Sequence, residues 1–226
     1  MPDMTIESRS RPAFLFDLDG TLIDSVYQHV LAWREALAGV DINLSVWKIH
    51  RRIGMSGGLF VTALARELET NLDSETLRAL PKLHEEGYRR RISEVRPLPG
   101  AQDLLNVLTR EGVPWAIATS GSDVVAQTSL TLLELPRDVV VVTRDQVEYA
   151  KPNPDLFLAA AEALAKPIGD SVWDMLAAQR AHAIGIGVLS GGYGREELET
   201  AGAYRVYEDP RDLLDHIDEL GIRTRG

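Results

Sequence analysis

Short apolar runs alternate with amphipathic stretches along most of the chain. The apolar runs have the length of strands and lie at 13–16, 113–119, 138–143, 185–189 and 206–207. The amphipathic stretches have apolar residues at helical spacing and lie at 101–110, 122–133, 154–165, 171–183 and 210–220. Strands that alternate with helices of about 10–15 residues predict βαβ units and a parallel sheet. We therefore expect a doubly wound, Rossmann-like α/β core.

The stretch from residue 25 to residue 95 differs from the rest because it has no strand pattern. Helical spacing predicts helices at 25–38, 46–53, 58–69 and 74–92. Asp73 or Ser74 caps the last helix, and Pro81 inside it either kinks it or divides it in two. The block ends before a turn or linker at 97–100.

These patterns predict a core with an insertion in its first crossover. We assign 12–24 and 96–226 to the α/β core, 25–95 to an all-helical cap, and 1–11 to a flexible tail. The run Val139–Val142 consists of β-branched residues, which is typical of a buried strand.

Composition narrows the function classes. Of 226 residues, 45% are hydrophobic and 26% charged, as in ordinary soluble proteins, and the net charge of −10 argues against nucleic acid or an anionic membrane as a partner. The absence of cysteine excludes disulfides, thiolate catalysis and cysteine-ligated metals. No apolar stretch approaches the ~20 residues of a membrane span, and the polar N-terminal segment lacks a signal-peptide core, so we expect a cytoplasmic protein.

Polar residues follow several of the predicted strands. They are Asp17 and Asp19, Thr119 and Ser120, Lys151, and Asp170 and Asp174. Each has a structural alternative: a polar turn at Asp19–Gly20, a helix cap near 122, a solvated lysine, and acids that favour a helix N-terminus. A parallel sheet nevertheless brings such strand ends to one edge, where ligands bind in open α/β folds. Their convergence therefore favours a functional site.

The chemistry of this set is coherent. A metal-bound aspartate can attack a phosphoryl group, and a second carboxyl can protonate the leaving alcohol and then activate water. A hydroxyl and an ammonium can stabilise the transferred oxygens. Additional carboxylates form an oxygen-rich shell that suits Mg²⁺ rather than zinc.

These residues match a known family. The chain resembles the haloacid dehalogenase superfamily, in its phosphatase branch with a helical cap. Asp17-Leu18-Asp19-Gly20-Thr21 matches the first motif and Thr119 closes the second. The segments 151–155 and 169–174 are similar to the third and fourth motifs, and 191–198 is similar to the segment after the last motif in phosphoglycolate-phosphatase-like members.

The resemblance implies a role for each of these residues. Asp17 would be the nucleophile and Asp19 the general acid and base. Thr119, Ser120, Gly121 and Lys151 would bind the phosphoryl group, and Mg²⁺ would be held by Asp17, the backbone carbonyl of Asp19 and Asp170, with Asp174 beside it. The helical block would close over a small phosphorylated substrate and exclude water.

Asp19 also separates branches of the superfamily. Dehalogenases and phosphonate-cleaving members lack a carboxylate at this position, so the resemblance favours phosphate esters or phosphosugars. Among cap residues, Arg51, Arg52 and Ser56 are candidates for substrate contact, although exposed arginines are usually only solvated. We expect a monomer or a homodimer.

One segment departs from the family pattern. A helix from 154 to 164 would run ~16 Å away from the active edge, and residues 165–169 return at most ~17 Å, which leaves nothing for a turn. Either that helix ends early or the strand before Asp170 is largely missing. We therefore hypothesise a crippled or altered metal site. Alternatives to a phosphatase are a phosphosugar mutase with the same core motifs and a catalytically silent binding protein.

Overall fold

The computed structural model describes residues 13–67, 72–160 and 165–223 of the chain. The predicted tail 1–11, the end of the predicted helix 58–69 and residues 161–164 of the predicted helix 154–165 lie outside these ranges. Within the described ranges, none of the helices combines the length and apolar character needed to cross a membrane.

Strands and helices alternate in the core as the sequence predicts. The strands are β1 (Ala13–Phe16), β2 (Ile23–Asp24), β3 (Arg96–Pro97), β4 (Trp115–Ala118), β5 (Val140–Val142), β6 (Ala165–Gly169), β7 (Gly185–Val188) and β8 (Ala203–Tyr207). The helices are α1 (Val26–Ala38), α2 (Val46–His50), α3 (Gly57–Glu67), α4 (Ser74–Arg89), α5 (Ala101–Arg110), α6 (Asp123–Leu130), α7 (Asp155–Ala160), α8 (Val172–Arg180), α9 (Arg195–Thr200) and α10 (Pro210–Asp215).

Six of these strands form one parallel sheet in the order β5-β4-β1-β6-β7-β8. From β1 the chain proceeds outward through β4 to β5, crosses back to β6, and then proceeds outward on the other side. The order therefore reverses between β1 and β6, which defines the topological switch point of a doubly wound sheet. The predicted fold class is confirmed.

Alternation of side chains along the central strand supports a core on both faces of the sheet. Phe14 and Phe16 belong to one buried cluster, with Ile117 and Ile168, whereas Leu15 belongs to a second cluster on the opposite face. Side chains of successive strand residues point to opposite faces, so a strand buried on both sides is apolar throughout.

Helices form the block between β2 and β3. Pro81 does not divide the last of them, because α4 continues from Ser74 to Arg89, and Asp73 is its N-cap, accepting from the backbone N–H groups of Glu75 and Thr76. The strands β2 and β3 pair antiparallel, so the chain leaves the core and returns to it through adjacent segments. The domain boundaries at 24/25 and 95/96 stay a prediction.

Two strand predictions need correction. The run 138–143 is not a buried strand: β5 is the edge of the sheet and Val140 is 52% exposed, because β-branched residues also suit an edge position. The segment before Asp170 is not missing a strand. The helix α7 is described from Asp155 to Ala160, and Ala165, which was predicted to be helical, begins β6 instead. This strand pairs with β1 over four residues, from Ala13↔Ala165 to Phe16↔Ile168. The hypothesis of a crippled metal site therefore loses its premise.

The contrast between the centre and the edge of the sheet predicts different costs for the same substitution. Val188 is fully buried in β7, whereas Val140 is half exposed in β5. Val188→Ala removes buried methyl groups and leaves a cavity, so we expect it to lower the free energy of unfolding by about 2–3 kcal/mol. Val140→Ala is the matched control and should cost less than about 1 kcal/mol. Urea denaturation measures both, and equal costs would contradict the assignment of β5 as the edge.

Candidate active site

Three buried carboxylates converge where the order of the sheet reverses. Asp17 follows β1, Asp170 follows β6, and Asp174 lies in the first turn of α8. One oxygen atom from each of the three lies within 4.8 Å of the others. The parallel pairing of β1 and β6 thus delivers residues 153 positions apart in the chain to one point.

Lys151 is the positive charge at the centre of this cluster. Its side chain is completely buried, and its Nζ contacts Asp17 Oδ1 and lies 2.7 Å from Asp174 Oδ1. Burial alone would lower the pKa of Lys151, but the two carboxylates raise it above its usual value, so the side chain is charged. The structure therefore excludes the alternative of a solvated loop lysine.

Negative charge still exceeds positive charge at this point. Burial, with the nearby carboxylate of Asp174, raises the pKa of Asp17 to about 7, although Lys151 opposes the rise. Burial and the carboxylates of Asp174 and Asp17 also raise the pKa of Asp170 well above its usual value. Oxygen donors with uncompensated negative charge are the ligand set that a hard divalent cation requires. The three aspartates therefore fit a metal ion.

Asp174 also has the structural role that the sequence left open. Its Oδ2 accepts hydrogen bonds from the backbone N–H (3.1 Å) and the hydroxyl of Ser171, which is the N-cap of α8. The other oxygen faces Lys151. The same carboxylate thus caps a helix with one oxygen and contributes to the charged cluster with the other.

Asp19 points in a different direction, toward the cap. It is partly buried, and its Oδ1 accepts a hydrogen bond from Ser25 Oγ (2.6 Å) and lies 3.1 Å from His29 Nε2. Burial would raise the pKa of Asp19, but His29 and Ser25 outweigh it and lower the pKa. The carboxylate is therefore held ionised and in a fixed orientation next to Asp17.

The residues after β4 form the opposite wall. Thr119 is buried, and its Oγ1 accepts a hydrogen bond from Gly121 N (3.0 Å) rather than capping α6, whose N-cap is Ser122. The buried hydroxyl of Ser120 has no hydrogen-bond partner among the described residues. A buried polar atom without a partner is costly, which is consistent with a ligand that binds there.

Other residues shape the pocket around Asp170, and the sequence analysis quoted them within motif segments without predicting this contact. Thr21 Oγ1 donates to Asp170 Oδ1 (3.0 Å), and a Cβ atom on Gly191 would overlap the Asp170 carboxylate. Gly20 has φ of +82°, and a Cβ there would also contact that carboxylate, at 2.5 Å. The Gly-rich stretch at 191–194 was a visible signal, but its contact with Asp170 depends on tertiary structure.

A cleft of about 230 Å³ lies between the core and the helical block. Asp17, Asp19, Thr119, Ser120 and Gly121 line its core side, together with Ser122, Val125, Arg144 and Asp145. The helical block contributes another group of lining residues: His29, Trp33, Ile53, Gly54, Met55, Gly57, Gly58, Pro81, His84 and Glu85. Three of the predicted phosphoryl-binding residues, Thr119, Ser120 and Gly121, thus line the same cleft as the two motif aspartates.

The cap residues singled out from the sequence do not line this cleft. Arg51 pairs with Glu197, Arg52 pairs with Glu67, and Ser56 is buried. Two histidines that are 55 positions apart in the sequence instead meet in the cleft, where His29 Nδ1 and His84 Nε2 lie 3.0 Å apart. This pairing joins residues on α1 and α4, so nothing in their local sequence predicts it.

Comparisons with known proteins agree with this arrangement. A family model described as haloacid dehalogenase-like hydrolase matches residues 12–182. A crystal structure of a hydrolase from Pseudomonas syringae superimposes with a TM-score of 0.90 and 51% sequence identity, and it covers 93% of this chain and 99% of that one.

Two curated relatives are phosphatases. Hexitol phosphatase A from Escherichia coli is 35% identical over 156 residues, which is 67% of this chain and 68% of the relative. A phosphoglycolate phosphatase from Rhodospirillum rubrum is 29% identical over 219 residues, which is 91% of this chain and 90% of the relative. These relatives confirm the prediction of a phosphoric monoester hydrolase, and the chain belongs to the haloacid dehalogenase-like hydrolase family.

Proposed function

We propose that the protein is a Mg²⁺-dependent phosphatase that hydrolyses a small phosphorylated metabolite through an aspartyl-phosphate on Asp17. The observation that carries this proposal is the placement of two carboxylates with different partners in one cleft. Asp17 belongs to the charged cluster with Lys151, whereas Asp19 is held by Ser25 and His29. Two carboxyl groups in different environments suit two different roles.

In the first step, Asp17 attacks phosphorus and the bond from phosphorus to the leaving oxygen breaks. Asp19 gives its proton to that oxygen, so the alcohol leaves neutral. The carboxyl of Asp19 has to be protonated for this step, and the approach of an anionic phosphoryl group favours the protonated form of a neighbouring carboxyl.

In the second step, the ionised Asp19 takes a proton from water, whose oxygen bonds to phosphorus while the bond to Asp17 breaks. Inorganic phosphate leaves and Asp17 is regenerated. The hydrogen bond from Ser25 and the contact with His29 favour the ionised form that this step uses. Lys151 holds the Asp17 carboxylate, and the unpartnered hydroxyl of Ser120 is available to a phosphoryl oxygen.

A metal ion fits the carboxylate cluster that contains Asp17. Asp17, Asp170 and Asp174 would hold Mg²⁺, which would supply charge stabilisation to the phosphoryl oxygens. The carbonyl of Asp19 stays a predicted ligand. Because these residues converge despite the short chain segment before Asp170, a catalytically silent family member has lost its main support.

Activity toward a generic aryl phosphate tests the proposal directly. Wild-type protein should hydrolyse p-nitrophenyl phosphate only with Mg²⁺, and Asp17→Asn should lower kcat by at least about a thousandfold because it removes the nucleophile. Acid quenching during turnover should leave phosphate on the wild-type chain and not on the variant, as detected by mass spectrometry. Full activity of Asp17→Asn would contradict the covalent route. With glucose 1-phosphate, formation of glucose 6-phosphate in place of inorganic phosphate would identify the mutase alternative.

The protonation of the aspartates predicts that metal binding depends on pH. Burial raises the pKa of Asp17 to about 7, above its unfolded value of 3.8, so the contribution of Asp17 to the stability of the metal-free protein is lost as the pH rises from about 4 to about 7. Mg²⁺ competes with protons for these oxygens. The increase in Tm caused by Mg²⁺ should therefore be larger at about pH 8 than at about pH 5.5. An equal increase at both pH values would argue against a metal site on these carboxylates.

The glycine beside Asp170 gives a matched pair of substitutions. Gly191→Ala would drive a Cβ into the Asp170 carboxylate, whereas a Cβ at Gly194 meets only Glu197 Oε2 at an ordinary distance of 3.5 Å. We expect Gly191→Ala to weaken Mg²⁺ binding by about ten- to a hundredfold and Gly194→Ala to leave it unchanged. Calorimetric titration with Mg²⁺ measures both. Wild-type affinity in Gly191→Ala would show that Asp170 does not need this space.

A further inference from the structure

Beside the two motif aspartates, the cleft is lined by residues of different chemistry. Trp33, Met55 and Pro81 form an apolar wall there, and His84, Glu85, Arg144 and Asp145 supply polar groups. The Trp33 ring is buried and stacked on both sides, with ring centroids 4.0 Å from Phe60 and 4.3 Å from His84. This part of the cleft therefore combines an apolar wall with a few polar groups, as in sites for small ligands.

The polar residues in this part of the cleft are mainly negatively charged or neutral. Glu85 and Asp145 are carboxylates, and burial, with the adjacent His29, lowers the pKa of His84 well below its usual value, so its imidazole is neutral. Among the described residues that line the cleft, Arg144 carries the one permanent positive charge, and its Nη1 donates to Val147 O at 2.6 Å. A second anionic group on a substrate would enter a cleft whose described lining includes Glu85 and Asp145 and a single guanidinium.

Glu85 is positioned for recognition by a contact across the cleft. Its Oε1 accepts a hydrogen bond from Ser122 Oγ at 2.7 Å, which joins α4 to the loop before α6. A carboxylate oriented in this way accepts hydrogen bonds strongly, and it has capacity for more than one donor. Hydroxyl groups supply such donors, whereas a carboxylate on the substrate supplies none at neutral pH.

We propose that the leaving group of the substrate is a neutral polyhydroxylated chain, as in polyol and sugar phosphates, with Glu85 accepting a hydrogen bond from one of its hydroxyls. The same wall disfavours leaving groups that carry a carboxylate, such as phosphoglycolate. This inference rests on the proposed phosphatase function, and it chooses between two substrate chemistries that the function leaves open.

The physical basis of the discrimination is the cost of burying charge. A carboxylate that leaves water needs a paired cation, and placing it near Glu85 and Asp145 adds repulsion. A polyol places its C–H groups against the apolar side chains of Met55 and Pro81 and its hydroxyls near His84 and Glu85, so its hydroxyls keep hydrogen-bond partners. Specificity then comes from attraction to one substrate class and repulsion of the other.

The test compares three substrates on three proteins. The substrates are sorbitol 6-phosphate, phosphoglycolate and p-nitrophenyl phosphate, and the proteins are wild type, Glu85→Gln and the control Glu86→Gln, whose side chain is exposed on the same helix. We expect wild type to prefer sorbitol 6-phosphate over phosphoglycolate by at least about a hundredfold in kcat/KM. Glu85→Gln should lower kcat/KM for sorbitol 6-phosphate by about tenfold, mainly through a higher KM. It should therefore reduce the preference for sorbitol 6-phosphate over phosphoglycolate. Glu86→Gln should change neither.

The aryl phosphate separates failure of this inference from failure of the phosphatase proposal. Hydrolysis of the aryl phosphate with equal or better activity on phosphoglycolate than on sorbitol 6-phosphate would overturn the inference alone. Identical effects of Glu85→Gln and Glu86→Gln on sorbitol 6-phosphate would also overturn it. Absence of activity on every substrate in folded wild-type protein would overturn the proposed function as well. Retained aryl phosphate hydrolysis in Glu85→Gln shows that this variant folds.

Discussion

The buried ion cluster around Lys151 is the interaction on which the rest of the site depends. Lys151 pairs with Asp17 and Asp174 in a buried region, and the carboxylate of Asp170 lies close to those two. Charges buried in this way need accurate geometry and oppositely charged partners. The reversal of strand order between β1 and β6 provides this geometry, because two neighbouring parallel strands end at the same edge. Lys151 offsets part of the negative charge, and the excess is what makes the point suitable for a divalent cation.

The same constraint explains why a loop distant in sequence approaches this cluster. Gly191 lies against the Asp170 carboxylate, and its carbonyl oxygen accepts a hydrogen bond from His50 Nε2 of the helical block at 3.0 Å. Tyr193 in the same loop donates to the carbonyl of Arg51 at 3.0 Å. One loop therefore contacts both the candidate metal ligand and the helical block, so a displacement of either is felt by the other through a few packed atoms.

Sequence reasoning succeeded where the structural signal is local. The run of apolar residues before Asp17, the break at Gly20 and the alternation of strands and helices are properties of short windows, and they predicted the fold and the meeting of Asp17, Lys151 and Asp170. It failed where the length of a helix or the position of a strand in the sheet decides the outcome. The helix after Pro154 is shorter than its apolar pattern suggests, which leaves room for β6, and the valines of β5 look the same at an edge as in a buried strand.

The residues of the helical block show the limit most clearly. The helical block contributes His29, His84 and Glu85 to the cleft, and the amphipathic pattern of their helices does not predict which neighbours they contact. They share a cleft because α1 and α4 pack together over the ends of β1 and β4. The core thus encodes its reaction in contiguous motifs, since the chemistry needs fixed residue types at strand ends. The wall that contacts the leaving group is assembled from single side chains on separate helices. On the proposed substrate class, the choice of substrate depends on tertiary packing, because the charges at that wall, rather than any motif, distinguish one phosphate ester from another.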